Sequence, residues 1–221
     1  MTVQEERFDI YDKDMKPAGT ASRSEVHAKG LWHSTFQCWI WDEAVPAGEG
    51  SILFQERHPG KDTFPGLLDI SCAGHLAAGE RVEDGVRELQ EELGVDVSFD
   101  ALISCGIFAE EDELPGGRMD REFCHVFLLP LSRELSSYRL QEEEVTGLYR
   151  MPLPLFRRLA GGTFTSAALE GAVLSGEGKL VPAVLTVTPE MLVPHPPAYY
   201  RLVLEAVEHL LPAQDQGRES I

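Results

Sequence analysis

Two spacings of apolar residues divide this chain of 221 residues into elements. Alternation with a period of two marks strands. It runs through Phe8-Asp-Ile-Tyr-Asp, which leads to a turn over residues 16–19. The stretch from Trp32 to Trp41 is rich in aromatic and β-favouring residues and reads as a buried strand. A Pro/Gly turn over 46–50 then hands over to a hairpin partner at 51–56. Further strands are expected at 67–72, 101–108, 122–129 and 146–150, with Leu114-Pro-Gly-Gly117 turning between the second and third of these. Helical spacing appears where Val82, Val86, Leu89 and Leu93 fall within an arc of about 60°. This predicts a helix over 82–93, stopped by Gly94. A short helix is expected from 152 to 158, a last one over 198–211, and a frayed tail over 214–221. With no internal repeat and no low-complexity linker, the pattern describes one α/β domain over residues 1–155, with residues 156–221 a helical extension packed on it.

The polar side of the 82–93 helix changes the picture. Arg87, Glu88, Glu91 and Glu92 occupy a separate arc of about 140°. Glu88 and Glu92 are like charges one turn apart, which costs a helix roughly 0.2–0.5 kcal/mol. A hard divalent cation reverses that sign, because it takes carboxylate oxygens as ligands. Nineteen basic against 37 acidic residues give a net charge of −18. That balance argues against a nucleic-acid polymer as partner and against anionic membrane surfaces. A small anionic substrate stays compatible if a metal and a few local cations reverse the field; Arg57, in Gln55-Glu-Arg57-His58-Pro-Gly-Lys61, is the candidate. No apolar run approaches the ~20 residues of a membrane span, and the polar N-terminus has no signal-peptide core, so a cytoplasmic location is expected. Cys38, Cys72, Cys105 and Cys124 are far apart in apolar runs and are expected as buried free thiols, without a zinc site.

The segment from Gly74 through Glu80 and Arg87-Glu-Leu-Gln-Glu-Glu-Leu-Gly-Val95 closely resembles the Nudix box, G-x5-E-x7-R-E-U-x-E-E-x-G-U with U aliphatic. It departs once: six residues, not seven, separate Glu80 from Arg87. The resemblance implies a mixed sheet between helices, with the box as a loop–helix–loop. It implies Mg²⁺ or Mn²⁺ held by Glu88, Glu91 and Glu92 beside the backbone at Gly74, and hydrolysis of a diphosphate bond. Arg87 would orient a carboxylate through a bidentate pair. The catalytic base would be Glu88 or an acid outside the box, with Glu122 and the run Glu142-Glu143-Glu144 as candidates.

A second resemblance, from about Phe8 to Pro152, is to the Nudix-fold isopentenyl diphosphate isomerases. His33, His75, Asp120 and Glu122 fall at places comparable to their metal site, and His27 is offset by about one residue. His75 is thus a candidate metal ligand; His33 is also a candidate contact for substrate. The isomerases need a cysteine directly before the Gly-His pair, where this chain has Ala73; Cys72 lies one position earlier and so on the opposite face of a strand. The isomerases also degrade the box helix, which is whole here. The expectation is therefore a Nudix hydrolase of the isomerase-like subgroup acting on a small organic or nucleoside diphosphate derivative. An isopentenyl diphosphate isomerase and a non-catalytic nucleotide-binding module are the alternatives. Trp32, Trp39, Trp41 and Phe64 are more readily core than base-stacking residues. Substrate, base, metal count and oligomeric state stay open, a homodimer among the options.

Overall fold

Along β3 (Trp32–Asp42) every residue after the first is buried, and the pleat sends neighbours to opposite faces. Trp39 and Trp41 pack into one core cluster. Phe36, Cys38 and Ile40 pack into another. A strand buried on both sides must be central, and β3 is. The computed structural model describes residues 5–44, 49–114 and 116–211. Before β3 come β1 (Arg7–Tyr11), β2 (Pro17–Ser22) and α1 (Arg23–Lys29). After it come β4 (Ser51–Arg57), β5 (Leu68–Asp69), β6 (Cys72–His75), a 3-10 turn (Val82–Val86) and α2 (Arg87–Leu93). The second half holds β7 (Ile103–Leu114), β8 (Arg118–Pro130), β9 (Val145–Pro152), α3 (Leu153–Ala160), β10 (Ala167–Leu174), β11 (Leu180–Val187) and α4 (Pro197–Leu210).

The strands form one sheet with a spine β11-β10-β9-β4-β3-β1-β2; β5 pairs with β4, β6 and β8 with β3, and β7 with β8. The β3–β8 pair is parallel and its neighbours are antiparallel, so the sheet is mixed. Leu89 and Leu93 of α2 join the cluster on one face. Phe156 of α3 and Tyr199, Tyr200, Val203 and Val207 of α4 join the other. Each such side chain contributes roughly 1.5–3 kcal/mol by burial. The expected mixed sheet between helices is what the chain forms. Among the described residues no helix is long and apolar enough to cross a membrane.

Several expectations need correction. The first turn lies earlier than 16–19: Asp12 Oδ1 accepts the N–H groups of Asp14 and Lys16, and β2 already runs through Pro17. Helix α1 was not anticipated, although Ser22 Oγ caps the N–H of Glu25 and left-handed Gly30 ends it. The helix expected over 82–93 is helical in the α sense only from Arg87. Its first turn is 3-10, tightened by Asp84 Oδ2 on the N–H of Arg81 at 2.8 Å, with Gly85 pressed so close to Phe36 that a Cβ would lie 2.6 Å from Phe36 Cβ. The strand expected over 67–72 splits into β5 and β6. The hairpin β7–β8 is longer at both strands than 101–108 and 122–129. The residues after 155 are not a helical extension: β10 and β11 extend the same sheet by pairing on β9, and the expected boundary falls inside α3. Their alternation is diluted by small residues and Pro182, which hid the strands. The expected turn over 46–50 lies mostly, and the tail over 214–221 wholly, outside the described residues.

Candidate functional site

Strand register assembles a cluster that the sequence spreads over nearly a hundred positions. The parallel β3–β8 ladder sets His33 beside Glu122, and the β3–β6 ladder sets Thr35 beside His75. The imidazoles of His33 and His75 stack with centroids 5.1 Å apart, and Phe8 of β1 stacks on both. Helix α1 adds His27, whose ring lies 5.6 and 5.5 Å from the other two. His33 Nδ1 bonds Leu31 O at 3.0 Å, which aims Nε2 at Asp120 (4.0 Å) and Glu122 (3.9 Å). His75 Nε2 also lies 3.9 Å from Glu122.

Three atoms of this cluster, His33 Nε2, His75 Nε2 and Asp120 Oδ1, are buried with no hydrogen-bond partner. Buried polar atoms are rarely left so. The ligand atoms of His27, His33 and His75 lie within 4.8 Å of one another, as do those of His33, Asp120 and Glu122. Burial lowers all three histidines toward the neutral form, the form that binds a metal. Glu122 is pushed up to about 8 by burial and then by the charge of Asp120. It accepts from Thr35 Oγ1 at 3.0 Å.

The box lines the same cavity of about 870 Å³. At Gly74 a Cβ would sit 2.2 Å from the Glu88 carboxyl, so the loop needs glycine for Glu88 to lie across it. Arg87 ties the motif together. It contacts Glu88, reaches Glu91 at 3.3 Å, donates to Glu80 at 3.1 and 3.2 Å and to His75 O at 3.3 Å. Glu80 in turn accepts the N–H of Ala77 at 2.7 Å, so the shortened spacing still closes loop onto helix. Glu92 is buried, with its Oε2 3.4 Å from the N–H of Ala73. Burial, and then the charge of Glu88, raise it to about 8. Glu91 is half-exposed and turned toward Arg87. The trio Glu88, Glu91 and Glu92 is not among the groups of described residues whose ligand atoms converge within 4.8 Å; the histidine–carboxylate cluster is.

Other expected residues are placed differently. Arg57 borders the cavity, but its guanidinium is engaged by Asp69 at 2.8 Å and by Thr63, which leaves it a poor receptor for an added anion. His33 is fully buried among converging ligand atoms. Glu144 pairs with Lys61. Trp39 and Trp41 are core, Trp32 stacks on Phe123, and Phe64 borders the cavity with a left-handed φ of 49°. Cys38, Cys72 and Cys124 are buried free thiols, and Cys105 is partly buried. The sequence reading missed His195, which enters the cavity wall from the C-terminal third. Its signal, a histidine between two prolines ahead of a helix, does not reveal what it meets.

Residues 32–164 match the model of the NUDIX domain. The chain belongs to the Nudix family. An uncharacterized Nudix hydrolase of Clostridium acetobutylicum is 41% identical over 208 residues, covering 93% of this chain and 98% of that one. The isopentenyl-diphosphate Delta-isomerase 2 of Photorhabdus laumondii is 32% identical over 126 residues, covering 57% of this chain and 67% of the isomerase. Among solved structures, DR0079 from Deinococcus radiodurans superposes with a TM-score of 0.53 at 21% identity, over 71% of this chain and 90% of that one, a likeness of fold. The position before Gly74 carries no thiol. Ala73 borders the cavity, while Cys72 is buried in the core beneath α2, its thiol held far above the ordinary range by burial and by Glu92.

Proposed function

We propose that this Nudix chain is a divalent-metal-dependent hydrolase that cleaves a diphosphate bond in a small organic or nucleoside diphosphate derivative. The observation that carries the reading is the set of buried, unpartnered atoms His33 Nε2, His75 Nε2 and Asp120 Oδ1, of which His75 and Asp120 border one cavity with an intact row of box glutamates. Carboxylates suit Mg²⁺ or Mn²⁺, and neutral imidazoles favour a transition-metal ion over Mg²⁺, so the mixed histidine–carboxylate set fits a divalent ion such as Mn²⁺, and the box glutamates fit either. His27, His33, His75, Asp120 and Glu122 would hold one cation; Glu88, Glu91 and Glu92, beside Gly74, would hold another. A bound cation supplies neutralisation of the phosphate oxygens, whose charge otherwise repels a nucleophile.

The chain's own groups do the rest. Arg87 fixes the Glu88 and Glu91 carboxylates. Glu88, laid over Gly74, or Glu122, fixed by Thr35, would orient a water and take its proton; burial raises both toward the range a base needs. Bound cations would offset the acidic wall for a diphosphate, since Arg57, Lys61 and Arg87 are already paired with carboxylates; Arg118 also borders the cavity.

The test is phosphate release over nucleoside diphosphate sugars, dinucleoside polyphosphates, deoxynucleoside triphosphates and isoprenoid diphosphates, each with Mg²⁺ and Mn²⁺. On the substrate so found, Glu92→Gln should lower turnover by at least ~10²-fold with the fold retained. Wild-type turnover in a folded Glu92→Gln protein would refute the assignment. The gathered histidine cluster keeps an isomerase as second reading. Deuterium appearing in dimethylallyl product from isopentenyl diphosphate in D₂O would establish it, against the expectation set by Ala73.

A further inference from the structure

The register of the β7–β8 hairpin creates an electrostatic problem that the residues of the box do not solve. Glu110 stands directly across from Glu122, and Asp112 across from Asp120. All four side chains border the cavity. Like charges directly opposed on a ladder destabilise it, and burial sharpens the repulsion. Cations held at the His33–Asp120–Glu122 end would relieve one half of this face. Glu110, at the other half, needs a counterion of its own.

His195 supplies it. Its Nδ1 lies 3.0 Å from both Glu110 oxygens and its Nε2 3.2 Å from Asp69 Oδ1, whose other oxygen takes Arg57. The segment carrying it is anchored to the sheet: Leu192 bridges to Leu68, the N–H of Val193 donates to Leu68 O at 2.9 Å, and the imidazole stacks on Tyr199 at 4.5 Å. Burial alone would lower this histidine, but the hydrogen bonds to Asp69 and Glu110 hold it up at about 10. The same segment reaches Glu122 by a second route. Tyr199 donates to Gln37 Oε1 at 2.6 Å, and Gln37 Nε2 lies 3.4 Å from Glu122 Oε2.

We propose that His195 is a positioning residue of the Nudix site: clamped between Asp69 and Glu110, it holds the Glu110 carboxylate away from Glu122 and so keeps Glu122 where a divalent cation requires it. The inference rests on the cation reading above and extends it to a segment outside the matched Nudix region. Without His195, Glu110 is released beside Glu122 and the two carboxylates push each other off position. Removing the Glu110 charge as well should cancel the effect, a coupling that packing alone does not produce.

The experiment is Mn²⁺ titration by calorimetry on the full chain, with far-UV circular dichroism as the check on folding. His195→Gln should weaken Mn²⁺ binding about 10-fold or more, the usual scale for losing a partner behind a ligand. Glu110→Gln, alone or combined with His195→Gln, should bind within about 3-fold of wild type. His209→Gln, an exposed histidine on α4, should change nothing. On any substrate the wild type cleaves, His195→Gln should lower kcat and leave KM nearly unchanged. A folded His195→Gln protein that binds Mn²⁺ like wild type overturns the proposal, as does a double variant no tighter than the single. If His195→Gln does not fold, weakened binding in Glu110→Gln overturns it. Absence of Mn²⁺ binding in the wild type sinks both this inference and the cation reading; the other failures sink this one alone.

Discussion

Replacing Gly74 by alanine adds a single methyl group where the structure has no room for it. The new Cβ would lie 2.2 Å from both Cδ and Oε1 of Glu88 and 2.7 Å from its Cγ. Carbon atoms rest about 3.5–4 Å apart, so the carboxyl must retreat by more than about 1 Å. Glu88 is the far end of a flexible side chain, and the Phe36–Gly74 ladder pairing is left alone, so the cost in stability should stay near the roughly 0.5–1.5 kcal/mol of a displaced rotamer. The contact with Arg87 is disturbed as well. A misplacement of this size at a reacting centre costs about 10²-fold in rate. Gly74→Ala should therefore lose about 10²-fold in phosphate release under Mg²⁺ while its melting midpoint falls only a few degrees. Gly176→Ala, where a Cβ meets open space, is the matched control. A folded Gly74→Ala protein with turnover within about 3-fold of wild type would show that Glu88 does not act from its place over the loop.

Metal dependence should show in stability as a function of pH. Glu92 and Glu122 stand at about 8 in the fold against about 4.3 unfolded, so the fold favours their protonated forms. Their contribution is fully present below the unfolded value and is lost as pH rises through about 8, each by about 1.4 kcal/mol per pH unit. In differential scanning fluorimetry Mn²⁺ should accordingly raise the midpoint much more at pH 8 than at pH 5.5; equal effects at both would contradict the placement of the ion among these acids. Tyr199→Phe leaves Trp39 Nε1 and Gln37 Oε1 buried without this partner, and urea denaturation should show a loss of about 1–3 kcal/mol. An unchanged midpoint would mean that those groups find other partners.

What could be read along the chain was whatever depends on neighbours in sequence. Arg87, Glu88, Glu91 and Glu92 share a stripe because helical geometry places residues three and four apart side by side, and Gly94 stops α2 by taking a φ of 64°. The aromatic and β-favouring residues of β3 marked a buried strand for the same reason. Across the shortened interval Arg87 still reaches Glu80, because a long arginine side chain spans the loop. Helix α1 was legible too, in Ser22, Glu25 and Gly30, and was passed over because it has only one buried residue, Val26.

The sequence by itself determined the box, its helix and the acidic character of the site, because local periodicity and residue chemistry specify these without reference to the rest of the fold. A resemblance had grouped His33, His75, Asp120 and Glu122, but only the tertiary structure decided how they and His27 meet, that Arg57 is engaged by Asp69, and that His195 arrives between Asp69 and Glu110. Those outcomes follow from ladder register, where a shift of one residue turns each side chain to the other face. Register is set by the packing of both core clusters at once, and no stretch of neighbouring residues contains that information.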